Sequence, residues 1–152
     1  HVIAGYDQVK VSSETVSDID VEVVGYDISR DIALLKFPTY TLLGPPAEIR
    51  GFVPLVGDKV VAIGYSAVFS SVPILTFGHV TVHWQDLERD SRQIQTDAGI
   101  NSGMSGGGLF NVDGELIGII KGLADEFVGV GFAIDVDTVA SILPDLRIGY
   151  KN

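Results

Sequence analysis

Short runs rich in β-branched residues, several alternating with polar ones, recur near residues 8–12, 20–25, 32–37, 59–64, 73–83, 92–96, 108–112, 115–121 and 128–134. Apolar side chains at every second position of an extended segment gather on one face, so each run predicts a strand with one side toward a core. The Asp113-Gly114 pair between two of these runs is a hairpin signal. Helical spacing is confined to the end of the chain, where Val139, Ile142 and Leu143 follow Asp135 and Asp137. Either aspartate can cap a turn or two, and Pro144 is expected to end it. The stretch 38–54, with Gly44-Pro45-Pro46, reads as a connector between two groups of strands. The pattern predicts an all-β chain with one short C-terminal helix, and it contains no internal repeat or phosphate loop.

Composition narrows the partners. The 152 residues carry 10 basic and 20 acidic side chains, a formal charge of -10, which argues against a nucleic-acid or anionic-membrane partner. The length suits one compact unit or two small barrels sharing a cleft. The absence of cysteine excludes disulfides without fixing a compartment. No apolar run reaches membrane length.

Candidate chemistry begins at Gly103-Met104-Ser105-Gly106-Gly107. A serine hydroxyl is a weak nucleophile unless a base takes its proton and donors stabilise the oxyanion; flanking glycines let a tight turn aim backbone N–H groups at one point. The plainer reading is a glycine-rich turn between strands. The three histidines, His1, His79 and His83, all precede Ser105, which excludes a nucleophile elbow with its Ser, Asp, His order. Two orders stay open: an acid, then His79 or His83, then Ser105; or His1, then an acid, then Ser105. In Phe77 to Trp84 the alternation places His79, Thr81 and His83 together on the wetter face of a half-buried strand, opposite Val80 and Val82. Four strand residues separate His79 and His83 by about 13 Å, too far for two ligands of one zinc. For His1 the acid is Asp31, at the mouth of the apolar run Ile32 to Phe37; Asp27, in Gly25-Tyr26-Asp27, reads as a solvated turn residue.

Three segments together carry a family resemblance: His1-Val2-Ile3, Asp31-Ile32-Ala33-Leu34-Leu35-Lys36, and Gln95 through Gly107 around Ser105. The chain resembles trypsin-fold serine proteases of the HtrA (Deg) type. Val56 to Gly64, Gly114 to Ile119 and Gly131 to Ile134 extend the likeness over nearly the whole chain. The resemblance implies two antiparallel Greek-key β-barrels, the first incomplete because family members place strands before this histidine. Residues 1–50 would be the remnant carrying base and acid, and 51–152 the barrel carrying the nucleophile and the C-terminal helix. It further implies a serine endopeptidase with Ser105 as nucleophile, His1 as base, Asp31 as orienting acid, and the amides of Gly103 and Ser105 as oxyanion donors. Gly99 and Ile100 would form the base of the first substrate pocket, Lys121, Gly122 and Leu123 its edge, and Phe132 and Ala133 its wall. None of these is acidic, so small or medium aliphatic residues are expected in preference to Lys or Arg. No cofactor or metal is implied. Polypeptide substrates, a possible homotrimer and an extracytoplasmic location are. Met104 departs from the pattern, standing where the family usually has Asn, and its backbone alone is expected to serve the turn. A non-catalytic peptide-binding relative, an inactive piece of a protease, and an esterase using the same residues are the competing readings.

Overall fold

A computed structural model describes residues 1–6, 8–13, 16–39, 41, 44–49, 54–68, 72–123 and 129–152. The chain divides into two compact units, one of His1–Pro46 with Val139–Asn152 and one of Ala47–Thr138.

In the first unit, strands β1 (Val9–Val11), β2 (Ile19–Asp27) and β3 (Ile32–Lys36) form an antiparallel sheet in that order. The C-terminal tail runs beside the end of β2, where Tyr26 N–H donates to the Tyr150 carbonyl at 2.9 Å and Ile28 N–H to that of Asn152 at 2.8 Å. The turn from β2 into β3 is organised by Asp27. Its Oδ1 accepts the Ser29 hydroxyl at 2.7 Å and the Arg30 N–H at 2.9 Å, and its Oδ2 accepts the Arg30 guanidinium at 2.7 Å. Asp27 is therefore buried and fully engaged, not a solvated turn residue. Short polar side chains at strand ends satisfy local backbone donors that the ladder leaves open.

In the second unit, β4 (Lys59–Tyr65), β5 (Pro73–Asp86), β6 (Ser91–Thr96), β7 (Gly108–Asn111), β8 (Leu116–Leu123) and β9 (Gly131–Asp135) close into a barrel in the order β4-β5-β6-β9-β8-β7. Val60, Ala62, Val80, Ile94, Leu109, Ile117, Ile120 and Ala133 supply core side chains from the strands. The Asp113-Gly114 hairpin joins β7 to β8, and Asn111 Oδ1 accepts the N–H groups of Asp113 and Glu115. Since β6 and β7 are not neighbours, the segment 97–107 must cross between them, and it sends Ala98, Ile100 and Met104 into the same core. The expected all-β architecture, two barrels of which the first is incomplete and a short C-terminal helix, is found as one closed barrel, a second sheet of three strands and one C-terminal helix. Residue 128 of the last expected strand, and 40, 42, 43 and 50–53 of the connector, lie outside the described residues.

Two further expectations change. A β-bulge between Val80 and Val82 interrupts the β5–β6 register. The extra residue reverses the alternation beyond it, so Val82 is exposed while His83 turns inward, and the three residues His79, Thr81 and His83 do not share a wet face. The helix α1 (Val136–Arg147) also runs on past Pro144. Proline removes one intrahelical N–H and costs about 3 kcal/mol in a helix interior. Burial of Ile142 and Leu146, on either side of Pro144, favours keeping the last turn. Asp135 Oδ1 caps the start by accepting the Asp137 N–H at 2.7 Å.

The Asp27 network gives a pH signature. Burial opposes its ionisation, but the Arg30 N–H, the Ser29 hydroxyl and the Arg30 guanidinium outweigh that and hold the carboxyl below its ordinary value. A depressed folded-state pKa adds stability above the ordinary carboxylate range, and that stability is lost as pH falls through the folded value. Asp27→Asn is expected to lose about 1–3 kcal/mol of unfolding free energy at neutral pH. In urea titrations, the gap between parent and variant should narrow on acidification below about pH 4.

Candidate active site

His1 and Asp31 come together in the first unit. Asp31 follows the turn that Asp27 holds, and has the left-handed φ of 61° that aspartate tolerates better than most residues. His1 Nδ1 lies 2.7 Å from Asp31 Oδ2, and the His1 α-nitrogen donates to Oδ1. An ionised carboxylate only accepts, so Nδ1 carries the proton in the neutral ring and Nε2 is left with its lone pair. The histidine side chain is 53% exposed against 14% for the aspartate, leaving the ring accessible while its anchor is largely covered.

Ser105 belongs to the second unit, on the segment crossing from β6 to β7. Its hydroxyl donates to the Lys121 carbonyl at 3.0 Å. A bulge in β8 between Ile120 and Gly122 leaves Lys121 without a β9 partner, which frees that carbonyl for the serine. The loop then zips onto β8, with Gly106 N–H on the Ile120 carbonyl and Ile120 N–H on the Gly107 carbonyl, each at 2.8 Å. Gly103 has φ 95°, and a Cβ there would lie 2.4 Å from the Ala67 nitrogen, so only glycine fits this bend. Among the described residues, the N–H groups of Gly103 and Ser105 have no acceptor. Two unpaired amides beside a serine hydroxyl are suited to stabilising a developing oxyanion.

A family model described as a trypsin-like peptidase domain matches residues 1–119, a span that holds His1, Asp31 and Ser105. The chain belongs to the trypsin-like peptidase family. Among curated relatives, the probable periplasmic serine endoprotease DegP-like of Halomonas elongata is 36% identical over 157 residues, covering 97% of this chain and 31% of its own length. Its namesake from Hahella chejuensis is 35% identical, with 97% and 32% covered. A crystal structure of the serine endoprotease from Yersinia pestis matches with a TM-score of 0.82 at 32% identity, over 97% of this chain and 51% of that one. The chain thus spans about a third of the length of these curated relatives.

The residues expected around the substrate pocket of this trypsin-like peptidase domain fall in different settings. Ile100 and Ala133 are buried in the barrel core. Ile100 presses against β9 where a Cβ on Gly131 would come within 2.1 Å of it. Gly99 faces the Thr76 methyl, and Gly122 lies beside the Ser105 hydroxyl, 3.5 Å from where its own Cβ would be. Phe132 projects to the face opposite Ala133 and meets Trp84 edge-on at 5.4 Å between ring centroids. Leu123 ends β8, next to Gly122. Lys121 reaches the Ser105 hydroxyl through its carbonyl, a backbone role that no side-chain motif announces.

The other histidines are engaged elsewhere in the barrel. His83 Nε2 is 2.7 Å from Oδ2 of the buried Asp135, and His79 Nδ1 is 3.6 Å from Asp97 Oδ2. Among the described residues no group of three His, Cys, Asp or Glu side chains is placed to hold a metal, and no helix is long and apolar enough to cross a membrane.

Gly103→Ala is expected to force both the φ of 95° and the Ala67 contact apart. It should cost about 1–3 kcal/mol in thermal unfolding and displace the adjoining amide. Comparison of melting temperature with Ser105 reactivity checks both effects.

Proposed function

We propose that the chain is the protease domain of a serine endopeptidase that hydrolyses peptide bonds through an acyl-enzyme. The observation carrying this reading is the bond from His1 Nδ1 to Asp31, because it leaves Nε2 as a base of the polarity a serine nucleophile needs. Family membership and the unpaired amides flanking Ser105 support it.

In this mechanism the Ser105 hydroxyl leaves the Lys121 carbonyl, gives its proton to His1 Nε2 and bonds to the substrate carbonyl carbon. Asp31 stabilises the imidazolium that forms, and the amides of Gly103 and Ser105 hold the oxyanion. Collapse breaks the C–N bond as His1 returns the proton to the departing amine. Water, deprotonated by His1, then attacks the acyl group and restores Ser105. Extended polypeptides are the substrate class. With Gly99, Ile100, Phe132 and Ala133 near the first pocket and no acidic residue among them, small or medium aliphatic side chains are preferred over Lys and Arg. Relatives named as periplasmic support an extracytoplasmic setting.

Incubation with a fluorophosphonate followed by intact-mass spectrometry tests the reading. One adduct is expected on Ser105, absent from Ser105→Ala and from His1→Ala, and formed about four decades more slowly in Asp31→Asn. No adduct on the parent protein, or one that persists in Ser105→Ala, would overturn the assignment and leave a peptide-binding relative as the better reading.

A further inference from the structure

Met104 is the least expected residue of the nucleophile segment. It sits between the two positions whose amides flank the reaction, yet its side chain is 0% exposed and belongs to the barrel core. Its sulfur accepts the Asn101 N–H at 3.4 Å, its own N–H donates to the Asn101 carbonyl at 3.1 Å, and its carbonyl accepts the Gly107 N–H at 2.9 Å. One residue therefore ties both ends of the bend 101–107. The segment also lies directly on β4. A Cβ on Gly64 would stand 3.1 Å from Met104 Cβ and 3.2 Å from its Cα and carbonyl oxygen. Backbone and side chain of residue 104 are thus clamped together, with Ser105 as the next residue out.

We propose that Met104 is a positioning residue for the reaction: its thioether, buried in the core, accepts the Asn101 amide and thereby fixes the bend that aligns the Gly103 and Ser105 amides with the Ser105 hydroxyl. Methionine is suited to this because it fills apolar space like leucine while keeping a weak acceptor at its sulfur. A polar side chain at 104 would need further partners in a core lined by Val60, Ala62, Leu109 and Ile120. The proposal rests on the serine-endopeptidase reading and adds a reason why its oxyanion donors stay in place with an apolar residue at the centre of the motif.

The test separates shape from acceptor. Met104→Leu keeps most of the volume, and norleucine at position 104 replaces only sulfur by methylene; selenomethionine at 104 restores a chalcogen acceptor in the same shape. Steady-state hydrolysis of a peptide ester and its thionoester is measured for each, beside the melting temperature. Sulfur in the scissile carbonyl accepts hydrogen bonds poorly, so the ester-to-thionoester rate ratio reports how well the oxyanion donors are aligned. The norleucine protein is expected to keep its melting temperature and KM, to lose kcat on the ester about tenfold, and to show a smaller rate ratio, with selenomethionine restoring both. Met104→Leu should follow the same direction; if it fails to fold, the norleucine protein decides. A norleucine protein with parental kcat and parental rate ratio would overturn the proposal and reduce Met104 to core filling. A parent that neither hydrolyses the ester nor forms a Ser105 adduct would fail the underlying protease reading itself, a distinct result.

Discussion

A barrel order that separates β6 from β7 forces the chain to cross between them over residues 97–107, and this crossing carries Ser105. A long connection would ordinarily be mobile, because fixing each residue costs about 1–2 kcal/mol of backbone entropy. Here the cost is offset by burial. Ala98, Ile100 and Met104 share one core with the strands, and the segment leaves its crossing already bonded to β8 through Gly106 and Gly107. The serine is held by the packing of its neighbours, while its own hydroxyl donates to a strand carbonyl exposed by a bulge. A reactive group positioned this way can be precise without being buried.

Carboxylates do comparable work at the ends of strands. Asp27 closes β2 by binding the turn that follows, Asp31 begins beyond that turn and receives His1, and Asp135 ends β9 while capping α1 and pairing with His83. Each uses its two oxygens for different partners, one of them a backbone N–H or the α-nitrogen of His1. In a chain without cysteine, whose acidic residues outnumber the basic two to one, these aspartates direct their charge at nearby donors, and at Asp27 those hydrogen bonds also favour the ionised form.

Much of this was legible in the sequence where one residue type has one physical consequence. Alternating β-branched runs became strands because a two-residue period has only one way to bury a face, and Asp113-Gly114 became a hairpin because few dipeptides accept that turn. Chain order alone left two arrangements open, the family resemblance implied the pairing of His1 with Asp31, and the two side chains do meet. Legibility failed where tertiary contacts reset a local rule. The bulge after Val80 reversed the faces of the following residues, so His83 met a buried aspartate that periodicity had assigned to no partner. Pro144 stayed inside α1 between two buried side chains. Asp27 was drawn inward by Arg30 and Ser29, neither of which marks it as buried when the sequence is read alone.

Met104 exposes the deeper limit. Its position within the glycine-flanked motif was plain, but a motif records which atoms face the reaction and is silent about what lies beneath them. The glycines around it give the bend its conformational freedom, and freedom alone would scatter the amides that the chemistry needs aligned. Something must remove that freedom again from the side away from solvent. In this chain the buried side chain of Met104, which shares one hydrophobic cluster with Val60, Ala62 and Leu109, is placed to do so. The residue at the centre of the motif therefore answers to the core, while the glycine before it answers to the bend it must make.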